Sequence, residues 1–408
     1  MRGPAALRGR AVVKRTLESL DPAGIEGRRA LVRVDFNCPI KDGVVTDNTR
    51  IRAALPTIRF LRERGARVVL LSHLGRPKGG PDPKYSMQPV VRELEKLLGA
   101  PVTFLPDPTA EDAVTVTKRL SRGAVAVAEN TRFYPGEEKN DPALAARFAA
   151  LGDFYVNDAF GSAHRAHAST EAVARLLKPA VSGFLMEREL RYLGAALHAP
   201  KRPFVAVLGG AKISGKIDLI EALLPKVDQI LIGGAMACTF FKAMRLETGT
   251  SLVEADRVDM ARALMAKAGD KLVLPSGAVI ARELKSDAET RTVARDAIPA
   301  GWAVYDTDPA TDKDFSVRIT GAGTVVWNGP MGVFETPPFD RGTMAVARAM
   351  AEATPRGAIT VVGGGDSAAA VAQAGLSDRI THVSTGGGAS LEFLEGKELP
   401  GVAVLDEA

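Results

Sequence analysis

Short apolar runs alternate with longer amphipathic stretches along almost the whole chain of 408 residues, and this alternation restricts the possible folds most strongly. Strands that alternate with helices favour parallel sheets that are covered by helices on both faces. About eleven such runs are too many for one strongly twisted sheet. We therefore predict an α/β protein with two doubly wound, Rossmann-like domains of parallel sheet joined by a hinge helix.

Strands are expected at the apolar runs of two successive series. The first series is Ala30–Val34, Arg67–Ser72, Val102–Leu105, Ala124–Ala128 and Phe154–Val156. The second series is Phe204–Leu208, Gln229–Ile232, Gly301–Tyr305, Thr324–Trp327, Ile359–Val362 and His382–Ser384. Helices are expected between them, for example at Arg50–Arg64, Gln88–Leu98, Pro142–Leu151, Ile217–Leu224, Asp256–Lys267 and Arg341–Ala353. Pro56 lies inside the first helix, where it predicts a kink or a later start.

A helical pattern at Met186–His198 separates the two series, and the following Ala199-Pro200 pair is typical of a helix end. No Gly/Ser-rich linker lies between the series, so the connection is stiff and suited to a hinge. The predicted division is an N-terminal domain of residues 1–186, a hinge helix of residues 187–200 and a C-terminal domain of residues 201–394.

Composition excludes several classes of protein. No run approaches the roughly 18 apolar residues of a membrane span, and no Lys/Arg block marks a nucleic-acid tail, although the net charge is +5. Cys38 and Cys238 form neither a disulfide framework nor a metal-ligand spacing. A reducing, cytoplasmic setting without membrane or nucleic-acid partners is the simplest interpretation. Met1–Thr16 carries four arginines and no acid, which fits a transit peptide or, more simply, an N-terminal extension.

Ligands of open parallel sheets bind beyond the carboxyl ends of the strands. In the N-terminal half these positions are Asp35–Asn37, His73–Pro77, Glu129–Arg132 and Asn157–Arg165. Asp35 and Asn37 taken alone would equally fit a turn. Ligand contact is favoured because Arg50, Arg132 and other arginines are expected at the same sheet edge. Guanidinium groups bind phosphate and carboxylate in a bidentate manner, so this half is suited to a small anion.

The C-terminal half has glycine at the same positions, at Gly209–Lys212, Gly233–Met236, Asn328–Pro330, Gly363–Ser367 and Thr385–Gly388. Glycines before a helix start expose backbone N–H groups to phosphate. Lys212 and Lys216 are expected on one face of the helix that follows. Amides, two lysines and an acid are suited to a nucleotide with a metal. We therefore expect two anionic ligands that meet across a cleft.

Two local motifs allow other interpretations. Residues 210–216 are similar to a P-loop, but Ile217 stands where the Ser/Thr ligand of Mg²⁺ is required. Residues 363–368 are similar to a dinucleotide fingerprint and leave a nicotinamide-dependent oxidoreductase open, although no acid follows about 20 positions later at a strand end. Three histidines lack clustered Cys or carboxylate partners, so anion contact or packing is favoured over metal ligation. They are His73, His164 and His167.

Several segments match one family in order and with similar spacing, from about residue 14 to residue 404. They are Arg33–Asn37, Ser72–Pro77, Glu129–Phe133, Asn157–Gly161, Ala163–His167, Gly209–Lys212, Val326–Pro330, Gly332–Glu335 and Gly363–Asp366. Together they resemble the successive signatures of phosphoglycerate kinases. The resemblance implies reversible phosphoryl transfer from 1,3-bisphosphoglycerate to ADP, which gives 3-phosphoglycerate and ATP in glycolysis and gluconeogenesis.

The resemblance also implies a hinged fold whose C-terminal segment, residues 395–408, returns to the N-terminal domain. In that domain it implies 3-phosphoglycerate contacts at Asp35, Phe36, Asn37, Arg50, His73, Leu74, Gly75, Arg76, Arg132, His164 and Arg165. In the C-terminal domain it implies ATP or ADP contacts at Gly210, Ala211, Lys212, Lys216, Asn328, Gly332, Glu335, Gly364, Gly365, Asp366 and Ser367. Mg²⁺ is expected with the nucleotide near Asp366. The residues expected to act in catalysis are Arg50, Lys212 and Lys216.

Two segments depart from the family pattern near the expected nucleoside pocket. Ala235 stands where the family usually has glycine, and Asp308 stands where it often has glycine. The preference for a nucleotide base is therefore open. No interface stripe is visible, which favours a monomer. A non-catalytic binding protein on this fold is a third interpretation, and the intact arginine and lysine sets argue against it.

Overall fold

The computed structural model describes residues 13–78 and 80–408, which divide into two compact units. The N-terminal unit ends at Leu190 and also takes in Glu398–Ala408, and the C-terminal unit is Arg191–Lys397. Most of the predicted N-terminal extension, residues 1–12, lies outside the described residues.

The described part of the N-terminal unit contains a parallel sheet and a short hairpin. Its strands are β1 (Arg29–Val34), β2 (Ile40–Lys41), β3 (Val44–Val45), β4 (Arg67–Leu71), β5 (Val102–Leu105), β6 (Val125–Ala128), β7 (Phe154–Asp158) and β8 (Ala180–Ser182). Its helices are α1 (Thr49–Glu63), α2 (Gln88–Leu98), α3 (Glu111–Arg119), α4 (Pro142–Ala149), α5 (Val173–Leu176) and the first part of α6 (Phe184–His198). The parallel strands follow the order β5-β6-β4-β1-β7-β8, and β2 pairs with β3.

Helices cover both faces of this sheet because successive side chains of a strand point to opposite faces. Val32 and Val68 pack with Ile51 of α1 on one face. Leu31 packs with Phe148 of α4 on the other face. Each of these apolar side chains is fully buried, and such burial is worth about 1.5–3 kcal/mol per side chain. The doubly wound arrangement that the sequence predicts is confirmed here.

The described part of the C-terminal unit repeats this architecture and adds a small antiparallel sheet. Its strands are β9 (Phe204–Leu208), β10 (Gln229–Ile232), β11 (Leu272–Val273), β12 (Gly277–Ala281), β13 (Thr290–Ala294), β14 (Ala303–Thr307), β15 (Thr324–Asn328), β16 (Ile359–Gly363) and β17 (His382–Val383). Its helices are α7 (Ile217–Leu223), α8 (Met236–Ala243), α9 (Val258–Ala268), α10 (Pro309–Thr320), α11 (Arg341–Ala353), α12 (Gly365–Gln373) and α13 (Gly388–Leu394). The parallel order is β11-β10-β9-β15-β16-β17. Finally, α14 (Pro400–Ala403) belongs to the N-terminal unit.

The structure corrects two sequence-based expectations, one about the antiparallel sheet and one about α1. The run Gly301–Tyr305 was expected in the parallel series, but β14 pairs antiparallel with β12, and β13 is the other neighbour of β12. Most side chains of β13 are exposed, so the strand lacks the apolar run that marks a buried strand. A second correction concerns α1, which begins at Thr49 and continues past Pro56, so the later start is wrong.

The N-terminus of α6 is held by a buried carboxyl group at the end of β7. Oδ1 of Asp158 accepts hydrogen bonds from Leu185 N at 2.8 Å and from Met186 N at 3.2 Å. Its Oδ2 is buried as well. Burial raises the pKa of Asp158 to about 7. Because α6 runs across the boundary between the two units, this group supports the segment that joins them.

We predict that Asp158 makes the N-terminal unit less stable as pH rises. The folded state holds the proton up to about pH 7, while the unfolded chain releases it near the ordinary aspartate pKa of 3.8, so unfolding becomes easier across this window. Asp158→Asn keeps a helix-capping side chain and removes the proton equilibrium. Between about pH 5 and about pH 8 the wild type should lose about 3 kcal/mol relative to the variant, or about 5–10 °C in the calorimetric unfolding temperature. Equal pH dependence of the two proteins would contradict the prediction.

Candidate functional site

Arg50 and Asp35 form an ion pair beyond the carboxyl end of β1. Asp35 follows the last residue of β1, and Arg50 is in the first turn of α1. Nη1 of Arg50 lies 2.5 Å from Oδ2 of Asp35. The Asp35 side chain is mostly buried, whereas 38% of the Arg50 side chain is exposed. Since a guanidinium group has five N–H donors, Arg50 keeps donors for a ligand.

The loop after β4 is fastened to the loop after β1 and to Arg132. Oδ1 of Asn37 accepts a hydrogen bond from Gly75 N at 2.8 Å, and Nη1 of Arg132 donates to Gly75 O at 2.7 Å. Gly75 has a φ of +60°, and a Cβ at this position would collide with the Tyr85 ring. Glycine is therefore required here. The contacts bring three strand-end loops to one edge of the sheet.

Arg33, a buried residue of β1, fixes the orientation of His73. Nη2 of Arg33 lies 3.1 Å from Nδ1 of His73, and Nε of Arg33 donates to Ser169 Oγ at 2.9 Å. Arginine has donors only, so Nδ1 of His73 accepts the hydrogen bond. The proton of the neutral ring therefore lies on Nε2, which can donate to a ligand.

The charges around His73 and Asp35 fix their ionisation at neutral pH. Burial lowers the pKa of His73 to about 3, an effect that Arg33 and Arg132 reinforce and Asp35 opposes. Burial alone would raise the pKa of Asp35, but the surrounding positive charge lowers it. Because His73 is neutral at pH 7, we attribute the lowering to Arg50 and Arg33. Asp35 is therefore ionised beside a neutral imidazole.

A second histidine experiences the same positive region. Burial lowers the pKa of His167 to about 4, and the charges of Arg33, Arg132 and Arg165 act in the same direction. Nearby positive charge disfavours protonation of an imidazole. The same region favours a bound anion. Arg33, Arg132 and Arg165 therefore lie close enough together for their charges to act on one side chain, that of His167.

The other predicted residues of this set differ in exposure. Arg76 is exposed and lines a pocket of about 230 Å³ with Arg132. Arg165 is also exposed, and its Nε lies 3.2 Å from Nε2 of His164. The Phe36 and Leu74 side chains are buried in the core, and their N–H groups already donate, Phe36 N to Ser72 Oγ and Leu74 N to Asn130 Oδ1.

In the C-terminal unit, three strand-end loops pack backbone against backbone. Gly210 N donates to Pro330 O at 2.8 Å, and Gly234 N donates to Met331 O at 2.8 Å. A Cβ on Gly209 would collide with Pro330 O. Glycine therefore allows the loops after β9, β10 and β15 to form one continuous surface.

Asn328, the last residue of β15, joins the lysine loop to the start of α12. Its Oδ1 accepts a hydrogen bond from Nζ of Lys216, and its Nδ2 donates to Gly363 O at 2.9 Å. Next to it, Gly329 N donates to Ser367 Oγ at 2.7 Å. Lys216 is thereby held near the N-terminus of α12.

The start of α12 has the features of a phosphate site. Gly364 has a φ of +92°, and a Cβ there would lie 2.8 Å from Nδ2 of Asn328, so glycine is required. The next residues, Gly365 to Ser367, form the first turn, whose N–H groups have no partner within the helix. Burial lowers the pKa of Lys216 to about 8, and the exposed Asp366 opposes this shift. An ammonium group and free amides together favour an anion.

The positions of the two lysines correct one expectation. Helix α7 begins at Ile217, so Lys212 and Lys216 both precede it, and the prediction that they share a face of the helix is wrong. Gly210 and Gly215 favour an irregular loop over a helical turn at this point. Lys212 is exposed in this loop with Ala211 beside it, while Lys216 is largely buried.

Gly332 and Glu335 lie in the loop that follows β15. Glu335 is exposed, and Val333 N donates to Tyr305 O at 2.9 Å. This loop directly follows Met331, which accepts the hydrogen bond from Gly234. The loop is therefore continuous with the glycine-lined surface described above.

The two departures from the family pattern have local structural explanations. Ala235 precedes α8 with a helical φ of −62°, which alanine adopts without strain. Oδ1 of Asp308 accepts a hydrogen bond from Thr311 N at 3.1 Å and so caps α10. Both residues fit the backbone around them.

The described residues contain neither a cluster of metal-ligating side chains nor a helix suited to span a membrane. No group of three or more His, Cys, Asp or Glu side chains in residues 13–78 and 80–408 is arranged to hold a metal ion. Within the same ranges, no helix combines the length and apolar character needed to cross a bilayer.

Known proteins match this chain over nearly its full length. The sequence profile of the family described as "Phosphoglycerate kinase" matches residues 20–397. A phosphoglycerate kinase from Chloroflexus aurantiacus is 59% identical over 404 residues, which cover 97% of this chain and 99% of the relative. The chain belongs to the phosphoglycerate kinase family. A second phosphoglycerate kinase, from Rubrobacter xylanophilus, is 57% identical over 394 residues, with 97% and 98% covered.

The structural comparison agrees with this assignment. The solved phosphoglycerate kinase from Coxiella burnetii has a TM-score of 0.87 and 42% identity, and the match covers 96% of this chain and 98% of that chain. Membership of the phosphoglycerate kinase family confirms the predicted activity, a glycolytic phosphoryl transfer with a carboxyl group as acceptor. It also sets aside the oxidoreductase and the non-catalytic binding protein as alternatives.

The site residues predicted from the sequence did not include Arg33. An arginine inside an otherwise apolar strand run is a detectable signal, because a charged side chain is almost never fully buried unless it is paired. Arg33 is 1% exposed and contacts His73 directly.

Proposed function

We propose that the N-terminal unit binds the triose substrate and the C-terminal unit binds the nucleotide. The observation that carries this proposal is the electropositive sheet edge at which the charges of Arg33 and Arg132 add to burial in lowering the pKa of His73 and of His167. A small acid with a phosphate and a carboxylate fits such an edge. The amides of α12 and the ammonium group of Lys216 fit the phosphates of ADP or ATP instead.

In the triose site, Arg132 and Arg165 bind the phosphate and carboxylate oxygens, and Arg76 supports them from the adjoining pocket. Neutral His73 donates from Nε2. Asp35 keeps Arg50 in place through their ion pair and leaves the remaining guanidinium donors for the transferring group. Asn37 supports Gly75, whose carbonyl in turn orients Arg132.

In the nucleotide site, Mg²⁺ is expected with the phosphates. Mg²⁺ is usually held by one or two carboxylates together with substrate phosphates. Asp366 supplies one exposed carboxylate beside the amides at the start of α12, which fits a metal ion that arrives with the nucleotide. When bound, the ion neutralises phosphate charge. Glu335, exposed on the neighbouring loop, is suited to accept hydrogen bonds from ribose hydroxyls.

The transfer itself needs no general base. In the ATP-consuming direction a carboxylate oxygen of 3-phosphoglycerate is already ionised at pH 7 and attacks the γ-phosphorus. The bond from the γ-phosphorus to the bridging oxygen breaks, and ADP leaves with the electron pair, so no proton has to move. Arg50, Lys212 and Lys216 then stabilise the charge on the phosphoryl oxygens.

We further propose that the two units move towards each other when both ligands are bound, because the reacting oxygen and phosphorus must meet and water must be excluded. The stiff segment α6, which crosses the unit boundary, supports a hinge. Small-angle scattering should show a smaller radius of gyration with both ligands than with either one alone. An unchanged radius would contradict closure.

The protein is proposed to act as a cytoplasmic monomer. Cys38 and Cys238 both lie in the described part of the chain, buried and free, as suits a reducing compartment. Apolar side chains exposed in the described ranges, such as Val116 and Val317, are scattered and form no stripe. Light scattering after size exclusion should give the mass of one chain, 43.1 kDa.

ADP affinity should fall above about pH 8. Lys216 loses its positive charge as pH rises through its pKa of about 8, and a neutral amine binds phosphate weakly. Calorimetry should therefore give a dissociation constant that rises by up to about tenfold between about pH 8 and about pH 9. Lys216→Arg keeps its charge throughout and should bind ADP with no such slope. The same slope in both proteins would assign the effect to another group.

The activity is tested by a coupled assay with 3-phosphoglycerate and ATP, in which 1,3-bisphosphoglycerate is reduced by an added dehydrogenase with NADH. Turnover should require both substrates and this protein. A parallel titration with NADH alone should show no binding. Turnover without 3-phosphoglycerate, or tight NADH binding, would contradict the proposed function.

A further inference from the structure

The loop of Gly332 to Glu335, which carries two proposed nucleotide contacts, is held by side chains that the proposed mechanism does not use. The first is Thr343, near the start of α11, whose side chain is fully buried. Its Oγ1 accepts hydrogen bonds from Met331 N at 3.0 Å and from Gly332 N at 3.3 Å. One hydroxyl therefore binds two consecutive amides at the point where the loop leaves Met331.

The second supporting side chain is Asp306 on β14, which is also buried. Its Oδ2 accepts a hydrogen bond from Gly342 N at 3.0 Å, and its Oδ1 accepts one from Thr307 N at 2.9 Å. A Cβ on Gly332 would collide with Oδ1 of Asp306. The backbone of the loop thus lies directly on the carboxyl group, and glycine is needed at position 332 for this reason.

Burial, neighbouring charges and hydrogen bonds explain how the carboxyl group of Asp306 can pack against the loop. Burial raises the pKa of Asp306 to about 8, and the negative charges of Asp312 and Asp340 add to the effect. The positive charge of Arg348 acts on Asp312, whose pKa it lowers. The backbone N–H groups of Gly342 and Thr307 oppose the rise in the pKa of Asp306, because hydrogen bonds to the charged form favour it. Both carboxyl oxygens have hydrogen-bond partners where the group lies against the backbone, so its burial is compensated.

We infer that Asp306 and Thr343 are positioning residues for the nucleotide. They set the place and direction of the Gly332–Glu335 loop without touching the ligand. This inference rests on the proposed function, in which that loop contacts ADP or ATP. Thr343 fixes the beginning of the loop, and Asp306 supports it from β14 and connects it to α11.

The test measures ADP binding by calorimetry in Thr343→Val and Thr343→Ser. Valine has nearly the same shape but leaves the N–H groups of Met331 and Gly332 without their acceptor, which is unfavourable in a buried setting. We expect the Thr343→Val dissociation constant to rise about tenfold, because the loop moves to recover hydrogen bonds. Serine keeps the hydroxyl and should bind ADP within about twofold of the wild type. Asp306→Ala should weaken ADP binding similarly to Thr343→Val.

Thr324→Val is the matched control. Thr324 is a buried threonine in the same unit, and its Oγ1 finds no hydrogen-bond partner within the described ranges. Its ADP affinity should equal that of the wild type. The affinity for 3-phosphoglycerate should be unchanged in all four variants, which separates a local effect from general destabilisation.

The inference is overturned if Thr343→Val binds ADP like the wild type, or if serine fails to restore binding. Either result leaves the proposed function intact as long as the wild type turns over 3-phosphoglycerate and ATP. A wild type that binds no ADP would remove the proposed function and the inference with it. If Asp306→Ala does not fold, the Thr343 pair decides the question.

Discussion

Arg50→Ala should lower kcat by about 10²-fold or more, by analogy with the loss of one preorganised donor to a developing charge. The expectation follows from geometry: Arg50 is held by Asp35 at the sheet edge and still has unused donors towards solvent. Binding of 3-phosphoglycerate should change less than kcat, because Arg132 and Arg165 remain. Steady-state kinetics in the ATP-consuming direction measure both quantities.

Arg52→Ala is the control for this variant. Arg52 is two positions further along α1 and is exposed, and its Nε donates to Oδ1 of Asn48 at 2.9 Å. Its removal changes the net charge by the same amount as the removal of Arg50. Near-normal turnover of Arg50→Ala, or an equal loss in Arg52→Ala, would show that Arg50 does not stabilise the transferring group.

Lys216→Met should lower kcat by about 10²-fold or more as well, because it removes a positive charge held at the start of α12. The methionine retains most of the apolar stem and its packing. Lys216 is placed by Asn328, which also bonds to Gly363, so its position is fixed before the nucleotide arrives. The KM for ADP should also rise, whereas the KM for the triose substrate should change little.

Lys267→Met is the matched control for the second variant. Lys267 is an exposed lysine of α9 in the same unit and pairs with Glu221 on the surface. Surface pairs of this kind contribute little to stability. The control should retain wild-type kcat. A loss in Lys267→Met comparable to that in Lys216→Met would mean that overall charge, rather than the position of Lys216, determines the rate.

Much of the fold could be predicted from the sequence because parallel strands buried on both faces are continuous apolar runs. Runs such as those of β1, β4, β9 and β15 were located to within one or two residues. The strand β13 was missed because most of its side chains are polar or exposed, whereas β12 has an apolar run that was not predicted as a strand. The strand β14 was placed in the wrong sheet because an apolar run does not show which strand it pairs with.

The candidate site was predictable where the motif and the strand end coincide, as at Asp35 and Asn328. It was less predictable where the chemistry depends on contacts between distant segments. Arg33 and Thr343 act through hydrogen bonds to residues far along the chain or in another loop. Periodicity contains no information on such contacts. Lys212 and Lys216 lie in the loop before α7. The conformation of that loop cannot be predicted from the four-residue spacing of the two lysines.

The account depends on a division of labour between an arginine-rich sheet edge and a glycine-lined phosphate surface. Calorimetric titration of Arg132→Ala and Lys216→Met with each ligand tests it most directly. We predict that Arg132→Ala weakens 3-phosphoglycerate binding by about tenfold or more and leaves ADP binding unchanged. Lys216→Met should weaken ADP binding by about tenfold or more and leave 3-phosphoglycerate binding unchanged. Loss of ADP binding in Arg132→Ala with retained 3-phosphoglycerate binding would contradict the account.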